Sequence, residues 1–203
     1  MRRVSTPAVR LSRKGILASA WDAEGSQIVE FAVSLPLLIV LVVGIFDFGS
    51  AFTVKLKVSN SALEGARIAS ALPSSDLSLA EPPSLDSVVS VVDNYLTRAN
   101  MNDCGLFPVV NPPAHAAGTL IWTYTANGGG CPGTLTLIID RGFTYTAGLA
   151  NPFPANYTVE ATKVTISYPY KWQFNNVIRL IVPGATYAAN SFITSTAIMQ
   201  NLN

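Results

Sequence analysis

The chain has 203 residues, of which 49% are hydrophobic and only 12% are charged, and its mean hydropathy of +0.36 is high for a soluble protein. This composition is too apolar for a disordered chain, and the formal net charge of +1 excludes a strongly basic protein. Because five of the 13 basic residues lie before residue 15, residues 26–203 carry eight basic and ten acidic side chains, which excludes a basic surface for nucleic acid.

The first predicted element is a basic leader over residues 1–25, and its charge places the N-terminus on the cytoplasmic side of a membrane. The leader's basic residues are Arg2, Arg3, Arg10, Arg13 and Lys14. A secretory signal peptide would carry a small-x-small cleavage site after its apolar core. Here the candidate Ala18-Ser19-Ala20 comes before the apolar run, so cleavage by ordinary signal peptidase is disfavoured.

The second element is a predicted transmembrane helix over residues 26–50. No charged residue occurs from Phe31 to Phe46, and with its flanks the run is long enough for a bilayer core, which needs about 20 helical residues. Glu30 lies at the N-terminal edge of the run, where an ionised carboxylate costs about 2.5 kcal/mol or more without a partner. It is either an interfacial carboxylate favoured by the helix dipole or half of a specific pair.

Three motifs in this region resemble the N-terminal region of the TadE-like pseudopilins, the minor subunits associated with tight-adherence (Tad) pili. The first is Glu24–Pro36 (EGSQIVEFAVSLP), and the others are Gly44–Gly49 (GIFDFG) and Asn60–Arg67 (NSALEGAR). The resemblance covers about residues 24–71, and the motifs occur in the correct order. The remaining C-terminal part has no comparable motif.

This resemblance implies cleavage by a prepilin peptidase between Gly25 and Ser26, with Glu30 and Phe31 as recognition and assembly residues. It also implies a break in the first helix at Pro36. After cleavage, Glu30 would be the fifth residue of the mature chain. The new α-ammonium group of Ser26 and the Glu30 carboxylate could then meet on one helical face or between neighbouring copies.

The sequence after the apolar run changes to an amphipathic pattern over residues 51–72. Asp47 comes where the helix is expected to leave the bilayer, and it either faces water there or pairs with a cation of a neighbouring subunit. An apolar stripe with 3.5-residue spacing is expected to pack on the following domain or on another subunit. Its members are Phe52, Leu56, Ser59, Leu63 and Ala66. With no strong breaker before Pro73, we predict one helix from Ile28 to Ser70, about 65 Å long.

Residues 73–203 are predicted to form one α+β domain. After a proline-containing loop, Ser84 is the expected N-cap of a second helix that extends to Asn100. Its helical stripe consists of Leu85, Val88, Val89, Val92, Leu96 and Ala99. The sequence then favours an antiparallel sheet of four or five strands. The predicted strands are 120–125, 134–139, 143–146 after a turn at 140–142, one from about 158 to 168, and 188–200, with a short helix at 173–182.

Cys104 and Cys131 both follow the predicted span. In an oxidising compartment they could close a 28-residue loop, a bond worth about 3 to 4 kcal/mol in the chain-entropy estimate. Two buried free thiols are the alternative. A metal site is disfavoured because His115, the one histidine, lies in a Pro/Ala loop without further ligands. We predict no cofactor.

Enzymatic function is not expected. The chain has no Gly-x-Ser-x-Gly turn to position a nucleophilic serine, the Gly128–Gly130 loop lacks the ending of a phosphate-binding loop, and the acidic residues are scattered singly.

We therefore predict a pilin-like α+β protein that crosses the bacterial inner membrane once, with its C-terminal domain outside the cytoplasm. Its predicted function is in Tad pilus assembly and adhesion, with membrane lipid, prepilin peptidase, other pilins and the assembly machinery as partners. The alternatives are an uncleaved, membrane-anchored binding module and a surface adhesin. The aromatic residues considered for adhesion are Trp122, Tyr145, Tyr157, Tyr168, Tyr170 and Trp172, although most of them are better explained as sheet core.

Overall fold

The computed structural model describes residues 14–148, 156–172, 184 and 191–202, and side chains within 27–148, 157–172, 184 and 191–202. Within these residues there are two helices, α1 (Lys14–Ala71) and α2 (Pro83–Arg98). The strands are β1 (Ala114–His115), β2 (Ile121–Ala126), β3 (Leu135–Gly148), β4 (Asn156–Tyr170) and β5 (Ser191–Gln200). The chain divides into two compact units, Met1–Ile45 and Phe46–Asn203, and we call the second the globular unit. The helix predicted at 173–182 lies outside the described residues.

Helix α1 is longer than predicted and is not interrupted by its proline. It begins at Lys14 instead of Ile28, because residues 14–27 contain no proline and several good helix formers. The helix also continues through Pro36, so the expected break there is wrong. A proline removes one backbone hydrogen bond, and the many remaining bonds of a 58-residue helix tolerate that loss.

Helix α2 confirms the predicted second helix, but its N-terminus is capped differently. Helix α2 starts at Pro83 with Pro82 before it, so the expected N-cap Ser84 lies inside the first turn. The Asp76 carboxylate takes over the capping role, accepting hydrogen bonds from the Ser84 backbone N–H and hydroxyl, both at 2.9 Å. A negative charge is favourable at this end of a helix, and these bonds tie the 72–82 loop to α2.

The sheet is a five-stranded antiparallel meander in the order β1-β2-β3-β4-β5. This confirms the predicted α+β fold, and the ambiguous last segment is a strand over its described residues 191–200. Side chains alternate along β4 as predicted, with Val164, Ile166 and Tyr168 buried. His115 is in the short edge strand β1 and not in a loop.

The turn predicted at residues 140–142 is wrong, because β3 continues through it as one 14-residue strand. The register with β4 shifts between Asp140 and Phe143, which is the effect of a β-bulge. The bulge turns the Arg141 side chain into the interior, where it is only 5% exposed. Its guanidinium donates hydrogen bonds to the carbonyls of Ala69 and Leu72, the second at 2.8 Å. A residue from the sheet therefore caps the C-terminus of α1.

The core of the globular unit lies between the two helices and one face of the sheet. All but one of the α2 stripe residues are fully buried: Leu85, Val88, Val89, Val92 and Leu96. The sheet contributes fully buried side chains from three strands: Trp122, Leu135, Leu137, Ile139, Val164 and Ile166. From α1 the core takes mainly small residues.

Candidate functional site

The segment with the predicted cleavage and assembly residues lies in the first half of α1. Gly25 and Ser26 are both within the helix, so the bond between them has helical backbone geometry. Glu30 and Phe31 are exposed, with 64% of the Phe31 surface accessible. Nothing in the described structure brings another charged group to Glu30 within ion-pair distance.

The apolar run after Glu30 is exposed on every side of the helix. None of residues 28–46 is buried, and large side chains are exposed at successive positions around the helix axis. These include Ile28, Val29, Val33, Leu37, Leu38 and Leu41. The helix is long and apolar enough to cross a membrane. A helix that is hydrophobic all round needs an apolar environment, and it fits a single-pass membrane anchor.

Asp47 does not face water, as one of its two predicted interpretations required; the other, a cation of a neighbouring subunit, stays a prediction. Asp47 is only 4% exposed and accepts hydrogen bonds from the Tyr170 hydroxyl at its side-chain Oδ1 and at its carbonyl oxygen, at 3.3 and 3.4 Å. Burial, together with the nearby Asp47 carboxylate, raises the pKa of Tyr170, so the phenol remains a donor. Asp47 therefore connects the start of the globular unit's helix to the end of β4.

The predicted apolar stripe of α1 does not face the core of its own unit. Phe52, Leu56 and Leu63 are 68%, 65% and 50% exposed, and only Ala66 of the stripe is fully buried. The buried face consists of Val58 and smaller residues: Ser61, Ala62, Gly65, Ala66, Ala69 and Ser70. A Cβ atom at Gly65 would lie 2.8 Å from the Val92 side chain, so α2 approaches too closely for large residues. The prediction that the bulky stripe residues pack on the following domain is therefore wrong, and packing on another subunit stays a prediction.

Cys104 and Cys131 form a disulfide, with their Cα atoms 5.4 Å apart. Next to it, the Gly128 N–H donates to the Cys104 carbonyl at 2.7 Å, and the Asn102 amide donates to the Gly129 carbonyl at 2.6 Å. The disulfide confirms the pairing expected from the sequence. It joins the segment after α2 to the loop between β2 and β3.

The aromatic residues considered for adhesion have different environments. Trp122 is fully buried and donates its indole N–H to the Ala80 carbonyl at 3.1 Å, and Tyr168 is 8% exposed. Tyr145 and Tyr157 are exposed. The His115 ring stacks on Trp122 at 4.8 Å between centroids, which explains its position without a catalytic role. Within the described side chains, no three His, Cys, Asp or Glu residues are grouped to hold a metal.

Two acidic residues, Asp93 on α2 and Asp103 on the following loop, lie close together in the structure. The sequence had not indicated any pair of acids. Burial, and then the Asp103 carboxyl group, raise the pKa of Asp93 from its ordinary value of 3.8 to about 6. The Asp93 Oδ1 atom is buried without a hydrogen-bond partner among the described residues. Ten residues and the end of a helix separate the two acids, so no spacing rule could have found the pair.

Asp93 is expected to make the globular unit more stable in mild acid than at neutral pH. Because its folded-state pKa is raised, its stabilising effect is complete below about pH 4 and is lost as the pH rises through about 6. After allowance for its partial exposure, the effect is about 1 kcal/mol, or a Tm change of about 3 °C. Melting curves of the parent and of Asp93→Asn between pH 4.5 and 7.5 measure it. We expect the variant to lose this pH dependence and the exposed-acid control Glu81→Gln to retain it; identical profiles for Asp93→Asn and the parent would contradict the assignment.

Residues 25–67 match the family described as TadE-like protein. This confirms the resemblance over a segment that lies entirely within α1 and ends four residues before the helix does. No curated protein and no solved structure matches the chain. The TadE-like family is not a known enzyme family.

Proposed function

From its TadE-like segment at residues 25–67, we propose that this chain is a membrane-inserted pseudopilin that takes part in assembling a Tad-type pilus. A prepilin peptidase removes residues 1–25, and α1 then anchors the protein in the inner membrane with the globular unit outside the cytoplasm. The observation that carries the proposal is the position of the family match, which begins at Gly25 and covers the apolar run and most of the packed part of α1.

The exposure of the apolar run supports the membrane anchor. One packed surface can cover only one face of a helix. Lipid or neighbouring apolar helices can shield apolar side chains from water on all of its faces. The five basic residues before the run favour a cytoplasmic N-terminus.

The position of Glu30 supports a role for its charge after cleavage. As the fifth residue of the mature chain, it lies one helical turn from the new α-ammonium group of Ser26. Pairing with that group, in the same or a neighbouring copy, would offset the cost of a carboxylate at the edge of the hydrocarbon. The exposure of Glu30 leaves it accessible to either partner.

The bulky residues Leu56 and Leu63 support contact with another subunit. They are 65% and 50% exposed on the part of α1 that belongs to the globular unit, while small residues fill the buried face. Apolar side chains repeated along one exposed helix face are typical of protein interaction surfaces. A neighbouring pilin or pseudopilin is the expected partner.

A second candidate function is an anchored binding module that keeps its leader. The observation that favours it is the continuous helix through Gly25 and Ser26, since a peptidase needs extended backbone at the bond it cleaves. In this case residues 1–25 remain on the working protein.

The intact mass of the membrane-extracted protein from cells with a prepilin peptidase distinguishes the two functions. We expect a chain that starts at Ser26, and we expect Gly25→Val to leave only the full-length precursor because a branched side chain blocks the small site before the cleaved bond. Gly44→Val is the matched control, since a Cβ at Gly44 meets nothing within 4 Å, and it should be cleaved normally. An intact Met1 in the parent would support the anchored module instead.

A further inference from the structure

Five aromatic residues gather where the globular unit begins, and we call them the aromatic cluster: Phe48, Phe52, Tyr170, Trp172 and Phe192. The Trp172 ring packs edge to face on Phe48 at 5.4 Å and on Tyr170 at 5.1 Å between centroids. Its indole N–H donates to the Ser191 hydroxyl at 2.7 Å. All of these rings except that of Tyr170 line a groove between α1 and the start of β5.

We propose that the aromatic cluster is a lipid-binding surface that seats the globular unit in the headgroup region of the bilayer. The proposal rests on the membrane anchoring proposed above. It adds a second attachment, in which phospholipid covers part of the folded domain as well as the apolar run.

The position of the cluster along α1 matches the depth of the headgroup layer. Residues 27–46 cover about 30 Å at 1.5 Å per residue, which is the thickness of a hydrocarbon core. Phe48 then lies about 3 Å beyond its end, within a headgroup layer about 6 Å thick on each side, whereas Phe52, at about 9 Å, lies just outside that layer. Trp172 contacts Phe48 directly, so β4 ends at the same level.

The phenylalanines of the cluster are exposed, so the described part of the globular unit does not cover them. Phe48, Phe52 and Phe192 are 56%, 68% and 54% exposed, although Phe is among the residues most often buried. Aromatic rings are enriched at membrane interfaces, where the ring contacts acyl chains and a polar edge reaches the headgroups.

The charges at the groove complement phospholipid. Lys55 lines it and donates a hydrogen bond to the Thr194 carbonyl, and Lys171 is exposed next to Trp172. Asp47, the nearby acid, is 4% exposed beneath Tyr170. The accessible charge of the described residues at this surface is therefore positive, and it favours contact with the negatively charged phosphate of a lipid.

Quenching of Trp172 by brominated phospholipid tests the proposal in the full-length chain. With Trp21→Phe in every protein, the emission comes from Trp172 and from Trp122, which is fully buried. In phosphatidylcholine–phosphatidylglycerol vesicles, lipid brominated near the headgroup should lower the Trp172 emission by about twofold, and lipid brominated near the chain ends should lower it less.

Moving the indole provides the matched controls. In a Trp172→Phe background, Phe192→Trp places an exposed indole at a second position of the cluster and should be quenched in the same way. Tyr157→Trp places it at the other end of β4, about 40 Å away, and should not be quenched. Constant Trp122 emission in unbrominated lipid checks that each variant is folded.

The outcomes separate this proposal from the one on which it rests. If the chain floats with vesicles but neither Trp172 nor the indole at position 192 is quenched, the lipid-binding surface is wrong and the anchor stands; a second copy or another protein then covers the cluster. If the chain does not float with vesicles, both proposals are overturned. Equal quenching at positions 172 and 157 would also overturn the proposal, since it would mean no preferred orientation.

Discussion

Removing the disulfide by Cys104→Ser together with Cys131→Ser is expected to lower the free energy of unfolding of the globular unit by about 3 to 4 kcal/mol. The bond closes a loop of 28 residues, so its loss releases chain entropy in the unfolded state. For a domain of this size the Tm should fall by about 10 °C. Urea or thermal unfolding of the full chain in detergent measures the change, followed by the emission of buried Trp122 in a Trp21→Phe, Trp172→Phe background.

A reductant supplies the matched control for the disulfide. The parent with reductant should melt at the temperature of the double variant, and the double variant should not respond to reductant. The hydrogen bonds around Cys104 and Gly128 persist in the serine variants, so the difference measures mainly the cross-link. Equal melting of the oxidised parent and the double variant would show that the bond does not stabilise the fold.

The disulfide is one of several features that could be predicted from the sequence, because each of these features depends on a pattern within a short segment or on a simple count of residues. The apolar run has the length of a bilayer core, the α2 stripe repeats with the helical period, and side chains of β4 alternate with the period of a strand. The cysteine pair needed only a count and a position after the span. The TadE-like motifs predicted the family over residues 25–67.

The α1 packing could not be predicted in this way, because it depends on distance between elements. The 3.5-residue stripe predicted that bulky residues such as Phe52 and Leu56 pack either on the following domain or on another subunit. The structure buries Ala62 and Gly65 instead, since α2 comes close enough to bring Val92 within 2.8 Å of a Cβ placed at Gly65. Hydrophobicity predicts which residues prefer burial, but not which face of a helix has a neighbour. The exposed bulky face thus remains available for lipid or another subunit.

The role of Arg141 was also beyond local patterns. Asp140-Arg141-Gly142 has the composition of a turn, and the sequence contains no sign of the bulge in β3 that points Arg141 inward. Its hydrogen-bond acceptors, Ala69 and Leu72, precede it by 72 and 69 residues. The contact exists only because the folded sheet packs against the end of α1, so it could not be predicted from neighbouring residues in the sequence.

Arg141→Met is expected to destabilise the globular unit by about 3 kcal/mol. The variant keeps a long apolar side chain but loses two charge-assisted hydrogen bonds to the carbonyls at the end of α1, each worth about 1.5 to 3 kcal/mol. Release of the buried guanidinium offsets part of this loss, and burial already lowers the pKa of Arg141. Urea unfolding measures the effect, followed by Trp122 emission in the same Trp21→Phe, Trp172→Phe background.

The matched control for Arg141 is Arg67→Met on α1, the helix whose C-terminus Arg141 caps. The Arg67 side chain is 71% exposed and lies 4.0 Å from Glu64, so its loss should cost less than about 0.5 kcal/mol. Arg141→Lys should have an intermediate effect, because an ammonium group keeps the charge but cannot reach both carbonyls with the planar guanidinium geometry. If Arg141→Met unfolds at the same urea concentration as Arg67→Met, the sheet does not hold the end of α1, and the contact contributes nothing to the stability of the globular unit.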